Sequence, residues 1–175
     1  MAFFVQTAEP LNSLGSKPRF SLTSNLWSSS VKSLSSLFFH LKHTARPGQL
    51  LIIDEPEIHL TPQNQIILAR LLAACVNRGV KVLVTTHSDY LVKEFNNLIM
   101  LHNLPEQDRV AFMNRQGSPY KEGERLNPDR VKAYVCQNGG VESCPMDQYG
   151  LEVTSMDEAI HSINATANEL VFLMG

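Results

Sequence analysis

An α/β fold with a mainly parallel sheet flanked by helices is the class this sequence predicts, and three stretches predict it. Leu50-Leu51-Ile52-Ile53 is an unbroken aliphatic run that ends in Asp54 and Glu55. Such a run, without alternation, suits a strand covered on both faces, as in a parallel sheet. Ile67, Leu68, Leu71, Leu72, Cys75 and Val76 then recur at helical spacing. Val80–Val84 is a second strand, nearly all β-branched or aliphatic. Strand, helix and strand with short connections make a βαβ unit, expected to be parallel and right-handed. A small C-terminal β-hairpin plus helix completes the expected architecture.

The 175 residues suit one domain, or part of a larger one, and can bury a real core. They divide into a β/loop segment (1–27), an α/β core (28–104) and a C-terminal α+β extension (105–175). The formal net charge of −2 gives no bulk attraction to nucleic acid or to an anionic membrane. Nucleic acid would therefore be met only through partners. Cys75, Cys136 and Cys144 are odd in number and form no Cys-x-x-Cys pair, which fits reduced thiols. The opening Met1-Ala2-Phe3-Phe4-Val5 is too short, and lacks the basic flank, for a signal peptide. No stretch reaches the length of a membrane span. A soluble, cytoplasmic protein is the expectation.

In chain order, Ala2–Val5 and Phe20–Leu26 read as strands, with Pro10, Gly15 and Pro18 between them. Gly15-Ser16-Lys17 is not a phosphate loop. The Walker A pattern requires glycine before the lysine, another glycine five residues earlier and Ser or Thr after it. Those positions hold Ser16, Leu11 and Pro18, and no other stretch fits. Ser28-Ser29-Ser30 precedes a helix whose apolar face is Val31, Leu34, Leu37, Phe38 and Leu41. The serines are natural N-caps, and a helix N-terminus is also an anion site. Lys32 in the first turn opposes the helix dipole, which suits a nearby phosphate. Arg46-Pro47-Gly48 is the turn into the aliphatic strand.

Pro56 cannot donate to a sheet ladder, so that strand stops at Glu55. Two acids thus stand at its carboxyl end, where open α/β sheets bind ligands. Asp54 suits a Mg2+ site, because magnesium favours one or two carboxylates completed by water and phosphates. Glu55 suits a base that orients or deprotonates water. Thr61 and Pro62 are the N-cap and first residue of the next helix, and Gly79 ends it. Thr85-Thr86-His87-Ser88 follows the second strand. If the strands are neighbours, His87 shares the rim with Asp54 and Glu55, and Ser88 caps a helix from Asp89 that carries Tyr90, Leu91 and Phe95.

Further on, Asn96-Asn97 reads as a turn and Leu98–Leu101 as a third strand. Residues 105–133 read as loop with a short helix near Asn127–Lys132. Ala133–Gln137 and Val141–Cys144 flank Asn138-Gly139-Gly140, a hairpin signal. Gly150–Val153 is a short strand. Ser155 is expected to cap a last helix through Glu158, with Ala159, Ile163, Ala167 and Leu170 as its packing stripe.

Together the motifs from Ser28 to His87 resemble the catalytic half of an ABC-type ATPase. They look most like AAA-family ATPases with an ABC-type head, related to the OLD, RecF and SMC group. Leu50–Pro56 resembles a Walker B strand, and Glu57-Ile58-His59-Leu60-Thr61-Pro62 the D-loop after it. Thr85–Ser88 resembles the switch-histidine loop, and Ser28–Leu34 the signature loop and helix. The resemblance implies a partial P-loop NTPase fold with ATP and Mg2+ as cofactors. By it, Asp54 would hold Mg2+, Glu55 would activate water and His87 would contact the γ-phosphate. Ser28, Ser29, Ser30 and Lys32 would reach a nucleotide held mainly by another subunit, since such heads work as head-to-tail pairs around ATP.

Two features depart from that family. Thr61 stands where a Leu-His-Pro ending is frequent, a change expected to touch the subunit contact and not catalysis. The Walker A loop is missing, so the phosphate-loop lysine is expected from a missing N-terminal segment or a partner head. The sequence therefore reads as part of an ATPase: truncated, split, or its C-terminal portion. The alternative is a non-enzymatic interaction or regulatory module, whose incomplete sheet would leave an apolar edge or face for docking. A metal site from Asp54, Glu55, His59 and His87 is a third possibility, although their spacing matches no zinc motif.

Overall fold

The computed structural model describes residues 2–5, 29–137 and 139–174. A five-stranded sheet runs in the order β2-β3-β1-β4-β5. Its strands are β1 (Ala2–Val5), β2 (Leu50–Asp54), β3 (Lys81–Thr86), β4 (Lys132–Gln137) and β5 (Gly140–Ser143). Helices α1 (Ser29–His43), α2 (Pro62–Asn77), α3 (Asp89–Asn103) and α4 (Glu106–Asn114) lie between strands in sequence. A two-stranded ribbon, β6 (Met146–Asp147) and β7 (Gly150–Leu151), precedes the final helix α5 (Thr154–Met174). The expected strand at Phe20–Leu26 lies outside the described residues. Among the described residues, no helix is long and apolar enough to cross a membrane.

The chain is α/β as expected, but the sheet is not mainly parallel. Among the described strands, only β2 and β3 pair in parallel, with Ile52 opposite Leu83 and Asp54 opposite Thr85. β1 pairs antiparallel to both β3 and β4, with Phe4 opposite Val84 and Ala133. β4 and β5 pair antiparallel, with Gln137 opposite Gly140, a sequence separation too short for anything but an antiparallel pair. The long helical crossover that makes neighbours parallel occurs here between β2 and β3, through α2.

The expectation that Leu50–Ile53 is covered on both faces is also overturned. Burial alternates along β2, with Leu50 56% and Ile52 64% exposed, while Leu51 and Ile53 turn inward to the core. β2 stands at the end of the sheet, and among the described residues β3 is its single neighbour. An apolar run says that both faces are suited to burial; it does not say that a chain segment covers the second.

α2 and α3 lie together over the sheet. Leu68, Ala69, Leu72 and Val76 of α2 meet Leu91, Phe95, Leu98 and Ile99 of α3 and Val82 and Val84 of β3 in one buried cluster. Ile67, expected in the buried stripe of α2, is instead exposed, one residue round the helix from that face. Thr61 caps α2 by accepting the Asn64 amide at 3.4 Å, and Pro62 opens it. Gly79 ends it with φ +85°, a left-handed conformation that favours glycine. Ser88 caps α3, accepting the Leu91 amide at 3.1 Å.

Leu98–Leu101 is not a strand but the last part of α3. Leu91, Val92, Phe95, Leu98 and Ile99 keep a helical repeat straight through the aliphatic run. Asn96 and Asn97 do not turn the chain, because their amides bond sideways. Asn96 accepts from the Leu151 amide at 2.8 Å and donates to the Leu151 carbonyl at 3.0 Å. Asn97 donates to Glu94 at 3.0 Å. Helix α4 stands where the sequence suggests loop, because it buries no residue and so has no apolar stripe. Near Asn127–Lys132 the helix is a single 3-10 turn at Pro128–Arg130. α5 starts at Thr154, so Ser155 lies inside it and not before it. Of its expected packing stripe, Ile163, Ala167 and Leu170 are exposed, as are all residues from 161 to 173.

Candidate functional site

The parallel pairing of β2 and β3 brings two strand tips to one rim. Asp54 ends β2 opposite Thr85, and His87 follows β3 by one residue. The Thr85 hydroxyl donates to the Asp54 carboxylate. The Glu55 amide donates to the Thr85 carbonyl at 3.1 Å and to its hydroxyl at 3.0 Å. One threonine thus fixes the side chain of the first acid and the backbone of the second. Asp54 is otherwise exposed at the strand tip.

Glu55 has φ +43°, left-handed for a residue with a side chain. Such positions persist only where the surroundings over-determine them, and they cluster at functional sites. Here the two bonds to Thr85 hold one side and Pro56 stops the ladder on the other. The chain then turns tightly: the Ile58 amide bonds the Glu55 carbonyl at 3.1 Å and the Leu60 amide the Glu57 carbonyl at 2.9 Å. His59 repeats the left-handed conformation at φ +67°. The outcome is that Glu55 Oε1 lies 3.2 Å from His87 Nε2. The His87 side chain is 60% exposed and that of Glu55 28%, so the pair faces open solvent.

Beneath this rim lies a buried polar network. Glu57 Oε1 accepts from the Thr86 hydroxyl at 2.5 Å and from the His87 amide at 2.8 Å. The Thr86 hydroxyl accepts the Ser88 amide at 2.9 Å. The Ser88 hydroxyl donates to Gln65 Oε1 at 2.5 Å, and Gln65 Nε2 donates to the Leu60 carbonyl at 3.0 Å. The turn after Glu55, the first turns of α2 and the start of α3 are therefore laced together.

The structure brings together Asp54, Glu55 and His87. Ser29 opens α1, with Ser30 and Lys32 in its first turn, and Ser28 lies outside the described residues. Sequence reasoning missed Thr85, Glu57 and Gln65 as parts of the site. Thr85 was recoverable, since a hydroxyl across a parallel pair from an acid is a natural donor. Glu57 was not, because nothing in Pro56-Glu57-Ile58 says that the acid points inward. Among the described residues, no three His, Cys, Asp or Glu side chains are arranged to hold a metal ion. A closed site from Asp54, Glu55, His59 and His87 is therefore not assembled. A carboxylate completed by water and phosphate oxygens, as magnesium favours, does not need such a cluster.

Comparison with known proteins bears on this site. A family model described as "AAA domain, putative AbiEii toxin, Type IV TA system" matches residues 15–93, which include α1, β2, α2 and β3 and end inside α3. A "Pleiotropic ABC efflux transporter of multiple drugs" from Saccharomyces cerevisiae is 26% identical over 138 residues. That match takes in 75% of this chain, and the chain spans 8% of the transporter's length. No solved structure matches. The two similarities support a relation to P-loop, ABC-type ATPases and suggest an ATP-binding, ATPase-like function.

Proposed function

We propose that this chain contributes the acids and the histidine of a composite ATP-hydrolysing site whose phosphate loop comes from elsewhere. The observation that carries the reading is the 3.2 Å approach of Glu55 to His87 beside Asp54, at the shared tip of two parallel strands. Hard carboxylate oxygens at an exposed strand end fit Mg2+ and ATP. Asp54 would hold the metal, which supplies charge neutralisation on the phosphates. Glu55 would orient the attacking water and take its proton. His87 would offer a hydrogen-bond donor to the terminal phosphate. Ser28, Ser29, Ser30 and Lys32 would present the α1 N-terminus to nucleotide on a partner head. Phosphoryl transfer depends mainly on positioning and charge stabilisation, and these residue types provide both.

The sequence contains no Gly-x-x-x-x-Gly-Lys-Ser/Thr, so the lysine that grips the phosphates is supplied by an N-terminal segment or a second ATPase head. The edge of β2 that no described strand pairs, together with the exposed Leu50 and Ile52, gives that segment a place to dock. Three free thiols, Cys75, Cys136 and Cys144, accord with a cytoplasmic setting. Any contact with nucleic acid comes through the partner. The test is ATP turnover by the chain co-expressed with the phosphate-loop segment of its own locus, with and without Glu55→Gln. Turnover that Glu55→Gln abolishes is expected. No turnover with either that segment or a second ATPase head, or full turnover in Glu55→Gln, overturns the proposal.

The exposed face of β2 also favours a second reading, in which the chain is a non-enzymatic module that docks on an intact ATPase and regulates it. Co-purification with a longer ATPase whose turnover is indifferent to Glu55→Gln would select it.

A further inference from the structure

We infer that Glu57 is the positioning residue of the candidate site: its buried carboxylate ties the turn that carries Glu55 to the loop that carries His87, and so sets those two side chains against each other. The consequence for ATP hydrolysis rests on the composite-site reading above, whereas the tether itself does not.

Glu57 is 8% exposed. A carboxylate so deeply placed is costly unless hydrogen bonds satisfy it. Only half of this one is satisfied. Oε1 accepts from the Thr86 hydroxyl at 2.5 Å and the His87 amide at 2.8 Å, while Oε2 has no hydrogen-bond partner among the described residues. An apolar side chain would serve packing better, and a half-satisfied buried acid calls for a reason other than stability. Its two bonds show what it does. One holds the last residue of β3, the other the backbone of His87 itself.

The turn geometry adds a second reason. Glu57 sits midway between Glu55 and His59, both left-handed at φ +43° and +67°. That conformation needs an external restraint. Thr85 restrains the Glu55 end from β3. Glu57 restrains the middle of the turn and, by the same carboxylate, the His87 backbone. The Glu55–His87 pair is thus fixed through two backbone anchors and not through its own solvent-exposed contact, which by itself holds weakly.

The test reads the coupling between the two side chains, without nucleotide, in the full chain. Ring resonances of His87 are recorded by NMR, and their response to Glu55→Gln is measured in the wild-type and Glu57→Ala backgrounds, a double-mutant cycle on one observable. The tether predicts a clear response in wild type that falls by more than about half when Glu57 is Ala. Glu57→Gln, whose amide oxygen accepts both hydrogen bonds, keeps the response. The His87 amide should also exchange with solvent roughly tenfold faster in Glu57→Ala, through loss of one protecting bond. Should Glu57→Ala fail to fold, the near-isosteric Thr86→Val removes one of the two donors and is expected to weaken the response in part. An undiminished response in folded Glu57→Ala or Thr86→Val, or its loss in Glu57→Gln, overturns the inference. Absence of ATP turnover would count against the composite site and would leave the tether standing.

Discussion

The hydroxyl of Thr85 stands between the two acids of the rim, donating to the Asp54 carboxylate while accepting the Glu55 amide at 3.0 Å. Valine would keep the β-branched shape that suits a strand and lose both interactions. Because the Glu55 amide retains the Thr85 carbonyl at 3.1 Å, Thr85→Val should cost only about 1 kcal/mol in a urea melt. On the composite-site proposal, its larger effect falls on Mg2+ binding at Asp54. In the complemented ATPase, half-maximal turnover should need roughly tenfold more Mg2+, as when an outer-shell partner of a ligating carboxylate is removed. An unchanged Mg2+ requirement would contradict the assignment of Asp54.

A second buried acid supports the frame and not the chemistry. Glu94 on α3 is bonded by Arg70 Nε of α2 at 2.5 Å, by Asn97 Nδ2 at 3.0 Å and by the Tyr120 hydroxyl at 3.4 Å. The Arg70 guanidinium also lies 4.5 Å from the Tyr120 ring centre. Arg70→Ala would strand a buried carboxylate. A loss of about 3 kcal/mol in unfolding free energy from a urea melt is expected, at the lower end of what breaking a buried pair costs, because Asn97 and Tyr120 remain. A change below about 1 kcal/mol would mark the pair as no better than a surface one.

The strand-helix-strand core was legible because its signals are local. An aliphatic run, a threonine-proline start, a glycine stop and a serine cap each act within a few residues, and each lies where the pattern puts it. The proximity of His87 to the two acids followed from one further step, the parallel pairing of the strands. What failed depended on distant partners. Leu50 and Ile52 look buried in sequence and are exposed, because coverage is decided by whatever packs on β2. Asn96 and Asn97 look like a turn and are helical, because Leu151 and Glu94 satisfy their amides. Ile163 and Leu170 of α5 look like part of a packing stripe and face solvent for the same reason.

Gly150 shows the same dependence from the other side. It has φ +121°, and a Cβ there would overlap the side chain of Asn96, which brackets Leu151 with two hydrogen bonds. Gly150→Ala therefore meets both a backbone penalty and a displaced Asn96. A loss of about 1–3 kcal/mol by chemical denaturation is expected. Tolerance of alanine without loss would show that the ribbon is not locked to α3 at this point.

His102, in the last turn of α3, provides a pH prediction. Burial pushes its imidazole below the ordinary 6.5, and the nearby Arg125 and Arg109 push the same way against Asp129. As pH falls through about 6.5, the unfolded chain takes up the proton first. The neutral imidazole's contribution is present above that pH and is lost as pH falls further toward the folded-state value. Urea midpoints of wild type should therefore decline toward acid more steeply than those of His102→Gln. Parallel pH profiles for the two proteins would contradict this.

The central claim is that Asp54, Glu55 and His87 form half of a nucleotide site and cannot grip a triphosphate by themselves. Calorimetric titration of the isolated chain with Mg·ATP, with and without the phosphate-loop segment, tests it most directly. The account predicts a dissociation constant weaker than roughly 1 mM for the chain by itself, tightening by at least about a hundredfold once the segment is present. Micromolar or tighter binding by the isolated chain would contradict it.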